Sequence, residues 1–133
     1  MTVVLWIVTG IVAFVIIYKL LYRKNFIIIR YLKDKIGCSE AVAHRFVAYR
    51  MPELVGFQGW ANLRDELLKD ANNYDLVILP LFVDWFLKQS SNELILEENK
   101  KIIQDALKKS GITFDDIERN LYMVEPMLSI YRR

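Results

Sequence analysis

The sequence predicts an all-α protein, with one N-terminal transmembrane helix followed by a small bundle of about five helices. Three observations lead to this fold class: an apolar N-terminal run, helical rather than alternating periodicity afterwards, and helix caps or breakers between the periodic segments. The chain has 133 residues, 54% of them hydrophobic, and a formal net charge of +2. That length suits one domain, and the hydrophobic fraction excludes a disordered chain.

The segment 1–22 is the predicted transmembrane anchor. Thr2 to Tyr18 are 17 consecutive residues without a formal charge. A helix from residue 2 to residue 22 would measure about 31 Å, close to the hydrocarbon core of a bilayer at about 30 Å. No basic segment precedes this run and no small-residue cleavage site follows it, so the pattern favours an uncleaved signal-anchor over a signal peptide.

Small residues inside the anchor offer a place where two spanning helices could pack closely. Thr9, Gly10 and Ala13 form such a patch, because small side chains let helix backbones approach each other in a membrane. Homo-oligomerisation through the transmembrane helix is therefore an open alternative to a lone anchor.

The segment 23–36 is a basic juxtamembrane region. Residues 19–36 contain six Lys or Arg and one acid, and no Lys or Arg precedes them. The positive-inside rule places the N-terminus outside and the C-terminal domain in the cytoplasm. The segment could continue the spanning helix, lifting the domain about 20 Å, or lie in the interface. We expect four basic side chains to contact lipid headgroups: Lys19, Arg23, Lys24 and Arg30.

Residues 37–125 form the predicted helical domain, and 126–133 a C-terminal tail. Caps, breakers and apolar periodicity define the expected helices. These run from Ser39 to a break at Met51-Pro52, from Trp60 to Ala71, from Pro80 to Lys88, from a capping box Ser90-x-x-Glu93 to Gly111, and from Thr113 with Asp116 to Pro126.

Chemical motifs are absent. One cysteine and one histidine exclude a Cys/His zinc cluster, and no nucleotide-binding or nucleophile-elbow motif occurs. His44 fits a helix surface, Asp84 fits an i,i+4 ion pair with Lys88, and the pair Asp115-Asp116 fits a first helical turn. We therefore predict no catalytic, cofactor-binding or metal site, and no nucleic-acid partner.

The sequence predicts where this protein lies more strongly than what it does there. The anchor without catalytic motifs favours a non-enzymatic interaction module or an accessory subunit of a membrane complex; a small defence, phage or immunity factor fits the same description. Its expected partners are the bilayer and a protein, and the aromatic cluster Phe82, Trp85 and Phe86 is the candidate partner surface. The alternative is a membrane-tethered enzyme acting on a lipid-proximal substrate, which requires a concave site that gathers the carboxylates or His44.

Overall fold

A computed structural model describes the backbone of residues 2–132, and the side chains of residues 2–17 and 23–132. Within residues 2–132 the chain forms seven α-helices and two π-helical segments and has no strand, so the all-α prediction is confirmed. The α-helices are α1 (Thr2–Ile36), α2 (Glu40–Arg45), α3 (Met51–Val55), α4 (Phe57–Leu67), α5 (Leu79–Lys88), α6 (Glu93–Lys108) and α7 (Phe114–Tyr131); the π-helical segments are Phe46–Arg50 and Tyr74–Ile78.

Helix α1 is a single helix of 35 residues with different surroundings at its two ends. Residues 2–17 are all exposed. Farther along, Ile28, Leu32 and Ile36 are buried at the i, i+4, i+8 spacing of one helix face. The helix is therefore continuous. The domain packs around the second half of this helix and is not held about 20 Å away from the first half. Of the two alternatives for segment 23–36, the structure has the one in which it continues the helix, and one face of the segment packs in the core.

Among the residues whose side chains are described, no helix has both the length and the hydropathy that a membrane crossing requires. The transmembrane helix of segment 1–22 therefore stays a prediction.

Two prolines of the domain lie in continuous helix because each follows a π-helical segment. Proline lacks an N–H, and its ring collides with the carbonyl four residues earlier in an ordinary α-helix. Just before Pro52, the Met51 N–H bonds to the Phe46 carbonyl, a wider five-residue turn. Pro80 follows the segment Tyr74–Ile78 in the same way. The predicted helix end at Met51-Pro52 is consequently wrong, since helical structure runs from residue 40 to residue 55.

The last helix also passes through a proline. Pro126 lies inside α7, which continues to Tyr131, so the tail predicted for residues 126–133 is wrong. Val124 and Leu128, on either side of Pro126, are 4% and 1% exposed. Their burial offsets the hydrogen bond that Pro126 cannot donate.

The helix starts follow the capping chemistry of the sequence, with one shift. Ser39 caps α2, and Thr113 forms a capping box with Asp116 at the start of α7, as predicted. Helix α6 instead begins after Asn92, whose side chain accepts from the Ile95 N–H at 2.9 Å. Ser90 accepts a hydrogen bond from Asn99 and does not cap the helix.

An aromatic cluster lies at the centre of the core. The Phe46 ring meets Phe82 edge-on with centroids 5.3 Å apart, and Trp85 lies 5.5 Å from Phe46. Edge-to-face and tilted contacts at these distances add to the stabilisation from burial. This cluster joins the first π-helical segment to α5, and α1, α4, α6 and α7 pack around it.

Candidate functional site

A cavity of about 270 Å³ lies beside α1 where the exposed part of that helix gives way to the buried part. Helix α1, the helical segment 46–55 and α4 enclose it. We call it the Asn25 cavity. Its lining residues are Asn25, Val47, Ala48, Pro52, Phe57, Trp60, Ala61 and Arg64.

Asn25 forms the polar centre of this cavity. It is 9% exposed and precedes Ile28 and Leu32 on the buried face of α1, where the other side chains are apolar. Its side-chain oxygen accepts hydrogen bonds from Trp60 Nε1 at 3.3 Å and from an Arg64 guanidinium nitrogen at 2.8 Å. These two bonds satisfy the buried amide oxygen and hold α4 against α1.

Arg64 is the charged residue that lines this cavity. Its side chain is 13% exposed, and its Nε is buried without a hydrogen-bond partner among the described residues. A buried donor left unsatisfied costs about 1–3 kcal/mol. The neighbouring Asp65 carboxylate lies 4.0 Å from that nitrogen but already binds Lys24 Nζ at 2.7 Å. The cavity is therefore lined by a guanidinium whose charge Asp65 only partly balances.

The charge around the cavity is positive. Lys24 and Arg64 carry two positive charges, while Asp65 carries one negative charge. The lining also includes the apolar Phe57, which is 82% exposed. A site of this composition suits an anion that carries an apolar portion.

Helix α7 carries an exposed apolar stripe at a different place. Tyr122, Met123 and Ile130 are 83%, 68% and 68% exposed. Together with exposed Pro126 they lie within an arc of about 100° along about 12 Å of helix. We call these four residues the α7 stripe. Contiguous apolar side chains of this kind mark interaction surfaces more often than scattered exposed ones.

The partner surface predicted from aromatic density is wrong in its main residues. Phe82 is 0% exposed and Trp85 is 8% exposed, because both pack on Phe46 in the core. Phe86 is partly buried and stacks on Phe82 at 5.7 Å. Density of aromatic residues indicated the centre of the core here, not a surface.

The predicted helix-packing patch is exposed. Thr9, Gly10 and Ala13 all lie on the exposed half of α1. The Thr9 hydroxyl donates to the Leu5 carbonyl at 2.8 Å, so this polar group is satisfied within its own helix. A Cβ on Gly10 would meet no described atom within 4 Å, so the helix surface there is open.

The four predicted headgroup ligands have different surroundings. The Lys19 side chain lies outside the described residues. Arg23 and Arg30 are exposed. Lys24 is half-exposed and paired with Asp65.

The side chains considered for catalysis are not brought together. His44 is exposed on α2 with its ring against Tyr49. Asp84 pairs with Lys88 at 3.0 Å, as predicted. Asp115 lies beside a separate groove at the start of α7. Among the described residues, no three His, Cys, Asp or Glu side chains form a group that could hold a metal ion.

A second polar contact joins α1 to the rest of the domain. The Tyr31 hydroxyl donates to Asp75, and Lys35 Nζ lies 3.3 Å from the same carboxylate. Burial, followed by this hydrogen bond and the nearby negative charge, raises the pKa of Tyr31 well above its usual range. The contact fixes the second π-helical segment against α1. This contact could not be predicted from local sequence patterns, because Tyr31 and Asp75 lie 44 residues apart.

No family model, curated protein or solved structure matches this chain.

Proposed function

We propose that this chain is a single-pass membrane protein whose helical domain acts as a protein-interaction module or as an accessory subunit of a membrane-associated complex. In this proposal, the first part of α1 is the anchor, and the α7 stripe is the surface that meets the protein partner. The observation that carries the proposal is the all-round exposure of the apolar half of α1.

The apolar half of α1 would be costly to leave in water. Twelve large apolar side chains between residues 3 and 17 are exposed by 44% to 73%. Full burial of such a side chain stabilises a protein by about 1.5–3 kcal/mol, so transferring the exposed fractions to lipid is worth on the order of 10–20 kcal/mol. A helix that is apolar on all sides suits a bilayer, since it has no polar face for water.

The charges around the anchor support a cytoplasmic domain. Lys and Arg are absent before residue 19 and number six from there to residue 36. Basic residues flanking a span are retained on the cytoplasmic side. We therefore propose that the N-terminus lies outside.

Alkaline carbonate extraction of membranes tests the anchor. We expect the wild-type chain to stay in the membrane pellet. Two arginines near the middle of the run, Ile11→Arg with Val12→Arg, add about 5–7 kcal/mol to the cost of insertion and should release the chain.

The matched control for that experiment is Leu94→Arg with Ile102→Arg. It introduces the same charges on α6, at side chains that are 72% and 58% exposed, comparable to the 59% of Ile11. We expect this variant to remain in the pellet. Extraction of the wild-type chain by carbonate would refute the anchor. If the Ile11/Val12 variant stayed in the membrane pellet, the location of the anchor would be refuted.

Photo-crosslinking in native membranes tests the partner surface. A photoreactive phenylalanine in place of Tyr122 should give a discrete protein adduct, whereas the same probe at exposed Lys109 should not. Met123→Glu should abolish the Tyr122 adduct, because it places a charge in the apolar stripe. Absence of an adduct, or equal adducts at both positions, would refute the α7 stripe as the contact.

A further inference from the structure

We infer that the Asn25 cavity binds the phosphate and glycerol backbone of an anionic phospholipid. The inference rests on the proposed function, because it requires that α1 enters the bilayer. It adds a specific lipid site to what would otherwise be a nonspecific anchor.

The position of the cavity along α1 places it at headgroup depth. The apolar run ends at Tyr22, and Asn25 lies three residues later, about 4.5 Å farther along the helix axis. The headgroup layer on each side of a bilayer is about 5–8 Å thick. A cavity beside Asn25 therefore opens where lipid phosphates and glycerol groups lie.

The donors in the cavity suit a phosphate group. Arg64 lines the cavity, and its guanidinium is a charged donor of the kind that phosphate oxygens bind with charge-assisted hydrogen bonds. The carboxylate nearest to it, Asp65, is held by Lys24 at 2.7 Å. Lys24 and Arg64 together outnumber this acid, so phosphate is attracted rather than repelled.

The same charges select among lipids. A phosphatidylcholine headgroup brings a quaternary ammonium near Lys24 and Arg64, and those positive charges repel it. Phosphatidylglycerol carries the phosphate with a neutral glycerol and avoids this repulsion. The site should therefore prefer an anionic lipid.

The shape of the cavity suits part of a lipid. Its volume of about 270 Å³ is just below the range of about 300–1,000 Å³ for ligand pockets, which suits a fragment of a ligand. Besides Arg64 and Asn25, the lining includes the apolar residues Val47, Ala48, Pro52 and Ala61. This combination accommodates a phosphoglycerol group with the first carbons of a chain.

Native mass spectrometry of the full chain, purified in a nonionic detergent, tests the site. The protein is titrated with dioleoylphosphatidylglycerol and, separately, with dioleoylphosphatidylcholine. We expect one phosphatidylglycerol to bind at least about tenfold more tightly than phosphatidylcholine. Arg64→Gln should weaken phosphatidylglycerol binding about tenfold, since it removes a charged hydrogen bond.

Two further variants separate the site from general charge effects. Arg30→Gln removes one positive charge from α1 at a residue that does not line the cavity, and should change affinity less than twofold. Ala61→Leu fills the cavity while keeping Arg64, and should lower affinity about tenfold. Circular dichroism establishes whether each variant is folded. If Arg64→Gln is unfolded, the affinity of Ala61→Leu for phosphatidylglycerol is the test of the site.

Two further comparisons distinguish a lipid phosphate from a free phosphate, and failure of the lipid site from failure of the anchor. Sodium phosphate and glycerol 3-phosphate should bind at least tenfold more weakly than the lipid; equal affinity would overturn a phospholipid site. Carbonate-resistant protein without preference for phosphatidylglycerol would overturn this inference while the anchor stands. Carbonate-extractable protein that still prefers phosphatidylglycerol in detergent would overturn the anchor, and with it the bilayer placement of the site.

Discussion

Asn25→Ala should destabilise the domain far more than its single amide group suggests. The substitution removes the acceptor of Trp60 Nε1 at 3.3 Å and of the Arg64 guanidinium at 2.8 Å. A neutral hydrogen bond contributes about 0.5–1.5 kcal/mol and one to a charged group about 1.5–3 kcal/mol. The expected loss in the free energy of unfolding is therefore about 2–4 kcal/mol.

Thermal unfolding followed by circular dichroism in nonionic detergent measures this loss. About 3–5 °C of Tm is lost per kcal/mol in a domain of this size, so Asn25→Ala should melt about 10 °C lower than wild type. The matched control is Asn62→Ala on α4, where an exposed amide bonds only to exposed Gln58 at 3.1 Å. That variant should change Tm by no more than about 2 °C.

The variant Asn25→Asp separates the loss of an acceptor from the loss of the side chain itself. It keeps an oxygen for both donors and adds a negative charge beside Arg64, so it should melt within about 3 °C of wild type. If Asn25→Ala melted as high as the Asn62→Ala control, water would be satisfying both donors. The amide would then not be the link that holds α4 against α1.

Three further outcomes are expected. Gly59→Ala should lower Tm by several degrees, because a Cβ there would collide with the Tyr131 backbone carbonyl, whereas Gly10→Ala should not alter it; equal Tm values would show that α4 and α7 separate freely. The pKa of Tyr31 is raised in the folded state, so Tyr31 contributes its full stabilisation below its unfolded pKa of about 10 and loses it as pH rises. In Tyr31→Phe, the free energy of unfolding measured by urea titration should therefore fall less steeply above pH 10 than in wild type. Tyr122→Phe, at an 83% exposed position, should leave the pH profile unchanged, and an identical change in both would refute the assignment to Tyr31. Gly10→Leu should reduce energy transfer between differently labelled chains in vesicles if the helices pack there, and unchanged transfer would exclude that face.

The helical class could be predicted because local signals decide it. Ser39, Thr113 and Gly111 marked helix ends through capping and a positive φ, and the structure uses all three. The helix ends placed at Pro52 and Pro126 failed for a physical reason. Proline excludes only the regular hydrogen bond, and a π-helical turn or strong burial of the neighbouring residues can offset its loss.

The candidate site could not be found in the sequence because its contacts are distant along the chain. Asn25 meets Trp60 and Arg64 across 35 and 39 residues. Its own sequence signal was faint: one amide at the start of the buried stripe that continues at Ile28 and Leu32. A polar residue on an otherwise apolar helix face indicates that a partner exists, but not which residue it is.

Under the proposed topology, the basic residues of α1 would act at two different times. Lys24 and Lys35 form ion pairs with Asp65 and Asp75 in the folded domain. The number of unpaired basic side chains available to headgroups is therefore smaller than the number of Lys and Arg in the segment. Orientation, however, is set while a chain inserts into the membrane. The positive-inside rule depends on the number of Lys and Arg near the span, whether or not these residues later form ion pairs. The topology proposal therefore survives the pairing of these lysines. In the proposed topology, contact with lipid in the folded state is expected instead from exposed Arg23 and from Arg64, which lines the Asn25 cavity from α4.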